Sequence, residues 1–334
     1  MTRTLFIIFL TLLPYSIHAQ CIMWYNVENL FDTQKDSIKN DSDFTPEGSY
    51  HWTGKKLSTK LANLSIAISA VGEGIPPAII GMAEVENDAV LTQLVKYSPL
   101  SKYRYKFIHY ESPDSRGIDL AMLYQPDIFK PIYHKNIAIT NPNDSKFATR
   151  DILYVKGEIN GDTLHILLNH WPSKRGGQAY SEHNRTIAAL TLRRQVDSLW
   201  AIHTSPNILI MGDFNDEPNG KSLVEDLHSI IDYTQIENHK LYYIPPIIQD
   251  KNVKGTYKYQ ANWNTIDQFI VSGNLINNNS LLKIQDGICH ICTVPILLED
   301  DATHLGKKPK RTYLGPRYLG GISDHLPIHL FLTK

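Results

Sequence analysis

The sequence predicts a layered α/β sandwich built on mixed β-sheet. Two observations carry this. Apolar runs of strand length recur along the chain, and several stop at a polar cluster (Asn26, Glu84, His170, Asp213) while two others begin at one (Asp267, His325). Strands of opposite direction that keep their polar groups at one end form a mixed sheet with a site along one rim. Between them lie two longer stretches, 55–71 and 181–202, expected as helices over the outer faces.

The elements follow in order. Cys21 to Val27 reads as a first strand ending at Asn26-Val27-Glu28-Asn29, and residues 36–54 as a loop. Leu57, Leu61, Leu64, Ile68 and Val71 alternate spacings of four and three, which gives one apolar helix face ended by Gly72, Gly74, Pro76 and Pro77. Ala78 to Ala83 is an apolar strand stopping at Glu84, after which Asn87 or Asp88 caps a helix running through Leu94. Arg104 to Tyr110 and Ile118 to Tyr124 read as paired strands. Ile152 to Ile159 and Thr163 to Asn169 form a hairpin through Asn160-Gly161-Asp162.

A helix from about Ser181 to Ile202 should carry Ile187, Leu190, Val196, Leu199 and Trp200 inward, with Arg185, Arg193 and Arg194 on a solvated face. Next, Ile208-Leu209-Ile210-Met211 breaks at Gly212 and delivers Asp213 and Asn215, two positions apart and so on one side of an extended chain. Residues 216–262 show no clear period. Ile266 to Val271 is a further strand, and Ser323-Asp324-His325 opens the last, Leu326 to Leu332.

The chain has 334 residues, 42% hydrophobic and 20% charged, enough for a sizeable core. It has no Pro/Gly/Ser-rich linker, so residues 20–334 are expected to form one domain. Residues 1–19 read as a signal peptide: Arg3 precedes the apolar run Leu5 to Leu13, and Ala19 ends a cleavage site. That run is shorter than the ~20 apolar residues a membrane span needs. Export to the periplasm or outside the cell is the expectation, with no stable membrane insertion after cleavage. Cys289-His290-Ile291-Cys292 has a CxxC spacing without a second pair for zinc, and a small local disulfide is the favoured reading. Formal charge is −1, and removing residues 1–19 with Arg3 leaves −2, which argues against gripping nucleic acid by bulk charge.

The collected rim residues are Asn26, Glu28, Glu84, Asp213, Asn215, Asp267, Asp324, His170 and His325. Hard oxygen ligands and imidazoles without cysteine suit Mg2+, Mn2+ or Ca2+ better than structural zinc. Glu84 with Asp324 or Glu28 can supply a metal, and Asp267 can hold His325 in the manner of a general base.

The segments Tyr25-Asn26-Val27-Glu28-Asn29, Gly81-Met82-Ala83-Glu84, Asn169-His170, Gly212-Asp213-Phe214-Asn215, Ile266-Asp267 and Ser323-Asp324-His325 occur in this order. In these the chain resembles the endonuclease/exonuclease/phosphatase superfamily, from residue 22 to 331. The resemblance implies a four-layered α/β sandwich, two mixed β-sheets flanked by helices, and metal-dependent attack of water on a phosphate ester. Glu84 resembles the principal metal ligand, with Asn26 beside it, and Glu28 stands where the family often has Asp. Asp213 resembles the residue that orients water, Asn215 a phosphate contact, and Asp324 a metal-side carboxylate. His325 with Asp267 resembles the general base or transition-state stabiliser, and His170 the second histidine of the deoxyribonuclease and sphingomyelinase branches.

Arg116 is a candidate phosphate contact, as are Lys174 and Arg175 after His170. The loop with Lys307, Lys308, Lys310, Arg311 and Arg317, interleaved with Tyr313 and Tyr318, is a candidate for backbone contact with nucleic acid. A secreted, monomeric, metal-dependent nuclease is therefore the first expectation. A sphingomyelinase-like phospholipid phosphodiesterase is the alternative, although no apolar hairpin suits a bilayer. A catalytically silent binding module on the same fold is the third reading.

Overall fold

A computed structural model describes residues 19–72, 74–174, 177–277 and 280–334. The predicted signal peptide, apart from Ala19, lies outside the described residues, as does Arg175. The strands of the first half are β1 (Gln20–Leu30), β2 (Ile79–Val85), β3 (Lys106–His109), β4 (Asp119–Tyr124), β5 (Phe129–Ile137), β6 (Ile152–Ile159) and β7 (Asp162–His170). Those of the second half are β8 (Asn207–Asp213), β9 (Ser229–Ile230), β10 (Leu241–Tyr243), β11 (Pro246–Ile248), β12 (Tyr257–Tyr259), β13 (Asn262–Asn264), β14 (Asp267–Ser272), β15 (Lys283–Ile284), β16 (Cys289–Ile291), β17 (Leu298–Asp300), β18 (Lys307–Pro309), β19 (Tyr313–Leu314), β20 (Arg317–Tyr318) and β21 (Ile328–Thr333).

Two mixed sheets carry the fold. One runs β11-β16-β21-β1-β2-β4-β3, with β15 also on β21; the other runs β5-β6-β7-β8-β14-β10-β9. Strands β1 and β2 are parallel, as are β7 and β8, whereas β21 is antiparallel to β1 and β14 to β8. That arrangement is what brings Asn26, at the register shift of β1, the strand ends at Glu84, His170 and Asp213, the start of β14 at Asp267 and His325 just before β21 to one rim.

The sheets face each other through alternate residues. Leu209 and Met211 of β8, with Leu164, Ile166 and Leu168 of β7, join the core shared with the first sheet. Ile208, Ile210 and Leu167 point the other way, into a core under the helix α3 (Gln178–Ile202). Period two along a strand buried on both faces produces this division. Gly81 permits the close approach, since a Cβ there would lie 2.5 Å from Leu168 Cδ2 and 2.8 Å from the Trp24 ring. On the opposite side α1 (Gly54–Ala70) and α2 (Asp88–Tyr97) cover the first sheet. Thr53 and Asn87 cap them by accepting from the backbone N–H groups of Lys56 and Val90. The layers are thus helix, sheet, sheet, helix: the α/β sandwich expected.

Several expectations change. In α3 Leu190 is 42% exposed, and Ala188, Ala189 and Leu192 take the inner face beside Val196 and Leu199. Arg185 is buried, its Nε 3.7 Å from Asp216 Oδ2, instead of lying in solvent. Cys21, Cys289 and Cys292 are all buried free thiols, so the expected disulfide is absent. Burial pushes each thiol up, leaving it protonated and unreactive. No described helix is long and apolar enough to cross a membrane.

Candidate active site

The rim cluster begins with irregular backbone. Glu28, Asn29, Glu84 and Asn215 all have positive φ, between 50° and 64°. The β1–β2 register shifts between Asn26 and Leu30, and the β2–β4 register between Ala83 and Val85. Each shift takes a residue out of the ladder and re-aims its side chain along the rim, a device that strands use beside functional sites. The Glu84 carboxylate accepts from Asn29 N–H through Oε2 at 2.9 Å, so the two irregular segments hold each other. At Gly212 a Cβ would come within 2.5 Å of the Asn169 carbonyl oxygen, so glycine is needed just before Asp213.

Asp213 is the hub. Its Oδ2 accepts from Asn26 Nδ2 at 3.0 Å and lies 3.6 Å from His170 Nε2 and 3.8 Å from His325 Nε2. Its Oδ1 accepts from Asn215 N–H at 3.0 Å, and Asn215 Nδ2 donates to the Trp171 carbonyl at 2.9 Å. Burial pushes the Asp213 carboxyl up to about 7, despite the opposing pull of His325. His170 Nε2 is also 4.0 Å from Glu84 Oε1. Burial, then the Arg150 and Arg116 guanidinium groups, hold His170 well below the usual histidine range, so it is neutral.

His325 is oriented from behind. Its Nδ1 is 2.7 Å from Asp267 Oδ2, and Trp24 Nε1 donates to Asp267 Oδ1 at 2.9 Å. Ser323 Oγ donates to the Asn26 carbonyl at 2.6 Å and accepts from His325 N–H at 3.0 Å, tying the last motif to the first strand. Burial opposes a charged imidazole, but Asp267 and Asp213 outweigh it and hold His325 well above its ordinary value. The Tyr257 ring lies 4.9 Å from the imidazole, centroid to centroid.

The donor set fits a hard divalent ion. Glu84 Oε1 lies 4.0 Å from His170 Nε2 and Asp324 Oδ1 lies 4.0 Å from His325 Nε2, both beyond hydrogen-bond reach, which leaves a carboxylate oxygen of each for the ion. Asp213, Asp267 and His325 are grouped within 4.8 Å. Both Asp267 oxygens are already committed to Trp24 and His325, however, so Asp267 orients His325 and is a poor ligand. Glu28 faces elsewhere: its carboxylate accepts from Thr312 N–H at 2.6 Å and lies 3.5 Å from Arg311 Nε, while Lys60 donates to its carbonyl. Burial, then Asp324, push its carboxyl up to about 7. The structure therefore brings Asn26, Glu84, Asp324, His170, Asp213, Asn215, Asp267 and His325 together and gives Glu28 to cations.

Arg116 is anchored through its backbone N–H to Asp114 Oδ1 at 2.9 Å, and its side chain is 37% exposed. Lys174 is exposed. The basic loop is largely spoken for. Lys307 pairs with Asp300 at 2.6 Å and Lys308 with Glu299 at 3.4 Å; Tyr313 is buried. Arg311 turns inward and donates to Asp324 Oδ2 at 2.8 Å.

Sequence reasoning missed Trp24, Lys60 and Arg150. Arg150 is buried and bridges Asp114 Oδ2, at 3.1 Å, to the Trp171 carbonyl, at 2.6 Å. Its signal was available: Arg150-Asp151 precedes the apolar run of β6 just as Asp267 opens β14.

Residues 21–334 match the model of the Endonuclease/Exonuclease/phosphatase family. The chain belongs to that family. It is accordingly a metal-dependent hydrolase of phosphate esters. A humanized Danio rerio TDP2 shares the fold with a TM-score of 0.57 and 14% identity, over 95% of this chain and 99% of that one. A Bacteroides thetaiotaomicron mannosyl-6-phosphatase does so at 0.58 and 13%, over 94% and 100%. The human Nocturnin catalytic domain with bound sulfate matches at 0.53 and 14%, over 94% of each chain. A search of curated proteins gave no match.

Proposed function

We propose that the chain, exported through residues 1–19, is a nuclease that hydrolyses phosphodiesters of nucleic acid with magnesium or manganese. Glu84, Asn26 and Asp324 would hold the ion. When bound, it supplies Lewis-acid charge to the phosphoryl oxygens. The observation that carries the reading is the placement of Asp213 Oδ2, fixed by Asn26 and flanked by the Nε2 atoms of His170 and His325.

Within that frame Asp213 orients the attacking water and takes its proton, which a carboxyl poised near 7 suits. His325, kept cationic by Asp267, donates a hydrogen bond to a phosphoryl oxygen as negative charge builds there, while the P–O bond to the leaving oxygen breaks and that oxygen takes a proton from solvent. Neutral His170 and the Asn215 amide would fix further oxygens, and the Arg116 guanidinium, whose charge acts on His170, would contact the phosphate. The rings of Tyr257 and the 61% exposed Tyr259, two positions apart on β12 beside His325, offer stacking surface for bases.

The mannosyl-6-phosphatase neighbour favours a second reading, a sugar phosphomonoesterase. Purified chain lacking residues 1–19 should be assayed on plasmid DNA, bulk RNA and mannose 6-phosphate. Magnesium, manganese, calcium and chelator are compared, beside His325→Ala. Metal-dependent cutting of nucleic acid lost in the variant supports the nuclease. Phosphate release from mannose 6-phosphate alone supports the second reading, and no turnover of any substrate rejects both.

A further inference from the structure

A second convergence of ligand atoms sits on the edge of the first sheet, apart from the Asp213 cluster. His109 ends β3, Asp119 begins the antiparallel β4, and Glu111 lies in the connection between them. One ligand atom from each of the three lies within 4.8 Å of the others. Asp119 is only 1% exposed. Its Oδ1 accepts from Ser112 N–H at 2.9 Å, but its Oδ2 has no hydrogen-bond partner. The His109 Nε2, on a side chain 3% exposed, has none either. These two buried atoms face each other at 3.8 Å, beyond hydrogen-bond reach.

The other ring nitrogen explains the orientation. His109 Nδ1 is 2.8 Å from Asp88 Oδ1, in the first turn of α2. A carboxylate on one imidazole nitrogen sets the tautomer and turns the lone pair of the other toward a metal, as around zinc-bound histidines. At 3.8 Å the two atoms are an ion pair when the imidazole is protonated but too far apart for a hydrogen bond, and the gap leaves room for a cation to take both when it is neutral.

We infer that His109, Glu111 and Asp119 form a second metal site, for a divalent transition ion of the zinc or manganese kind. One imidazole and two carboxylates make a nitrogen–oxygen donor set with room for water, which zinc accepts and calcium does not prefer. Asp119 pairs with Val85, the residue after Glu84, so the two centres share a strand pair but no side chain. The connection that the ion would clamp also carries Asp114 and Arg116.

Zinc alone is the probe. Chelator-stripped protein lacking residues 1–19 is titrated with zinc chloride by calorimetry, and bound zinc is counted by elemental mass spectrometry. Wild type, Glu84→Gln, His109→Gln and Glu111→Gln are compared. Wild type and Glu84→Gln should each retain one zinc equivalent that His109→Gln loses and Glu111→Gln binds at least tenfold more weakly. Glu111 is exposed, so its variant carries the test if His109→Gln does not fold. Absence of that zinc from Glu84→Gln, or wild-type binding in Glu111→Gln, overturns the inference and leaves His109 as a protonated partner of Asp88. Because the readout is bound metal, failure of the nuclease reading would leave the result unaffected.

Discussion

His325 Nδ1 lies 2.7 Å from Asp267 Oδ2, and this pair joins the segment leading into the last strand of one sheet to the start of a strand in the other. The imidazole is thereby held in one orientation with Nε2 toward Asp213, and its charge is stabilised by a carboxylate that Trp24 locks in turn. Asp267→Asn keeps the shape and removes the charge. It should lower kcat on a phosphodiester by ~10²–10⁴-fold, the usual share of general acid–base groups. Trp24→Phe leaves Asp267 Oδ1 without its donor, with a smaller loss in kcat and about 1–3 kcal/mol lost in denaturant unfolding.

Lys60 is a fully buried lysine whose Nζ donates to the carbonyls of Glu28 and Ile322, the latter at 3.0 Å, and to Thr312 Oγ1 at 2.7 Å. It therefore ties the end of the first strand to the segment leading into Ser323 and His325. Lys60→Met leaves the carbonyls of Glu28 and Ile322 and the Thr312 hydroxyl without this donor and removes a cation that lowers the Glu28 carboxyl. We expect a loss of roughly 3–5 kcal/mol in stability, and partial recovery when Glu28→Gln is added. Equal stabilities of single and double variants in urea unfolding would contradict this coupling.

His165 is buried in β7 with Nδ1 2.8 Å from Tyr154 Oη and the His203 ring beside it at 5.7 Å. Burial, then Lys156 and His203, push its pKa down from 6.5 to about 4. The unfolded chain then binds the proton first, so this contribution to stability is complete above about pH 6.5 and is lost as pH falls toward 4. The slope integrates to on the order of 3 kcal/mol. His165→Gln should flatten the pH dependence of unfolding free energy in that window, and an unchanged slope would refute the assignment.

Zinc titration of His109 and Glu111 variants, described above, gives a further expected outcome. The reach of sequence reasoning is visible in such particulars. Strands buried on both faces, such as β8, announce themselves as apolar runs, and the residue where each run stops is the site residue. Edge strand β5 went unread because Ile132 and Tyr133 face solvent and Pro131 sits at a register shift. Arg185 and Leu190 were exchanged between core and surface because side-chain type alone does not show that Asp216 waits opposite one of them. Lys60, Trp24 and Arg311 act on partners far away in the chain, which only the folded topology brings near. The free cysteines show that a spacing motif says nothing about where two side chains point.

The most direct test of the account is the rate of hydrolysis of a simple phosphodiester by wild type and Glu84→Ala, stripped with chelator and resupplied with magnesium or manganese. The account predicts that wild type is inactive after stripping and restored by metal. It predicts further that folded Glu84→Ala stays at least ~10²-fold slower at every metal concentration. Chelator-insensitive turnover, or a Glu84→Ala rate close to wild type, would contradict the placement of the metal-dependent centre around Glu84 and Asp213.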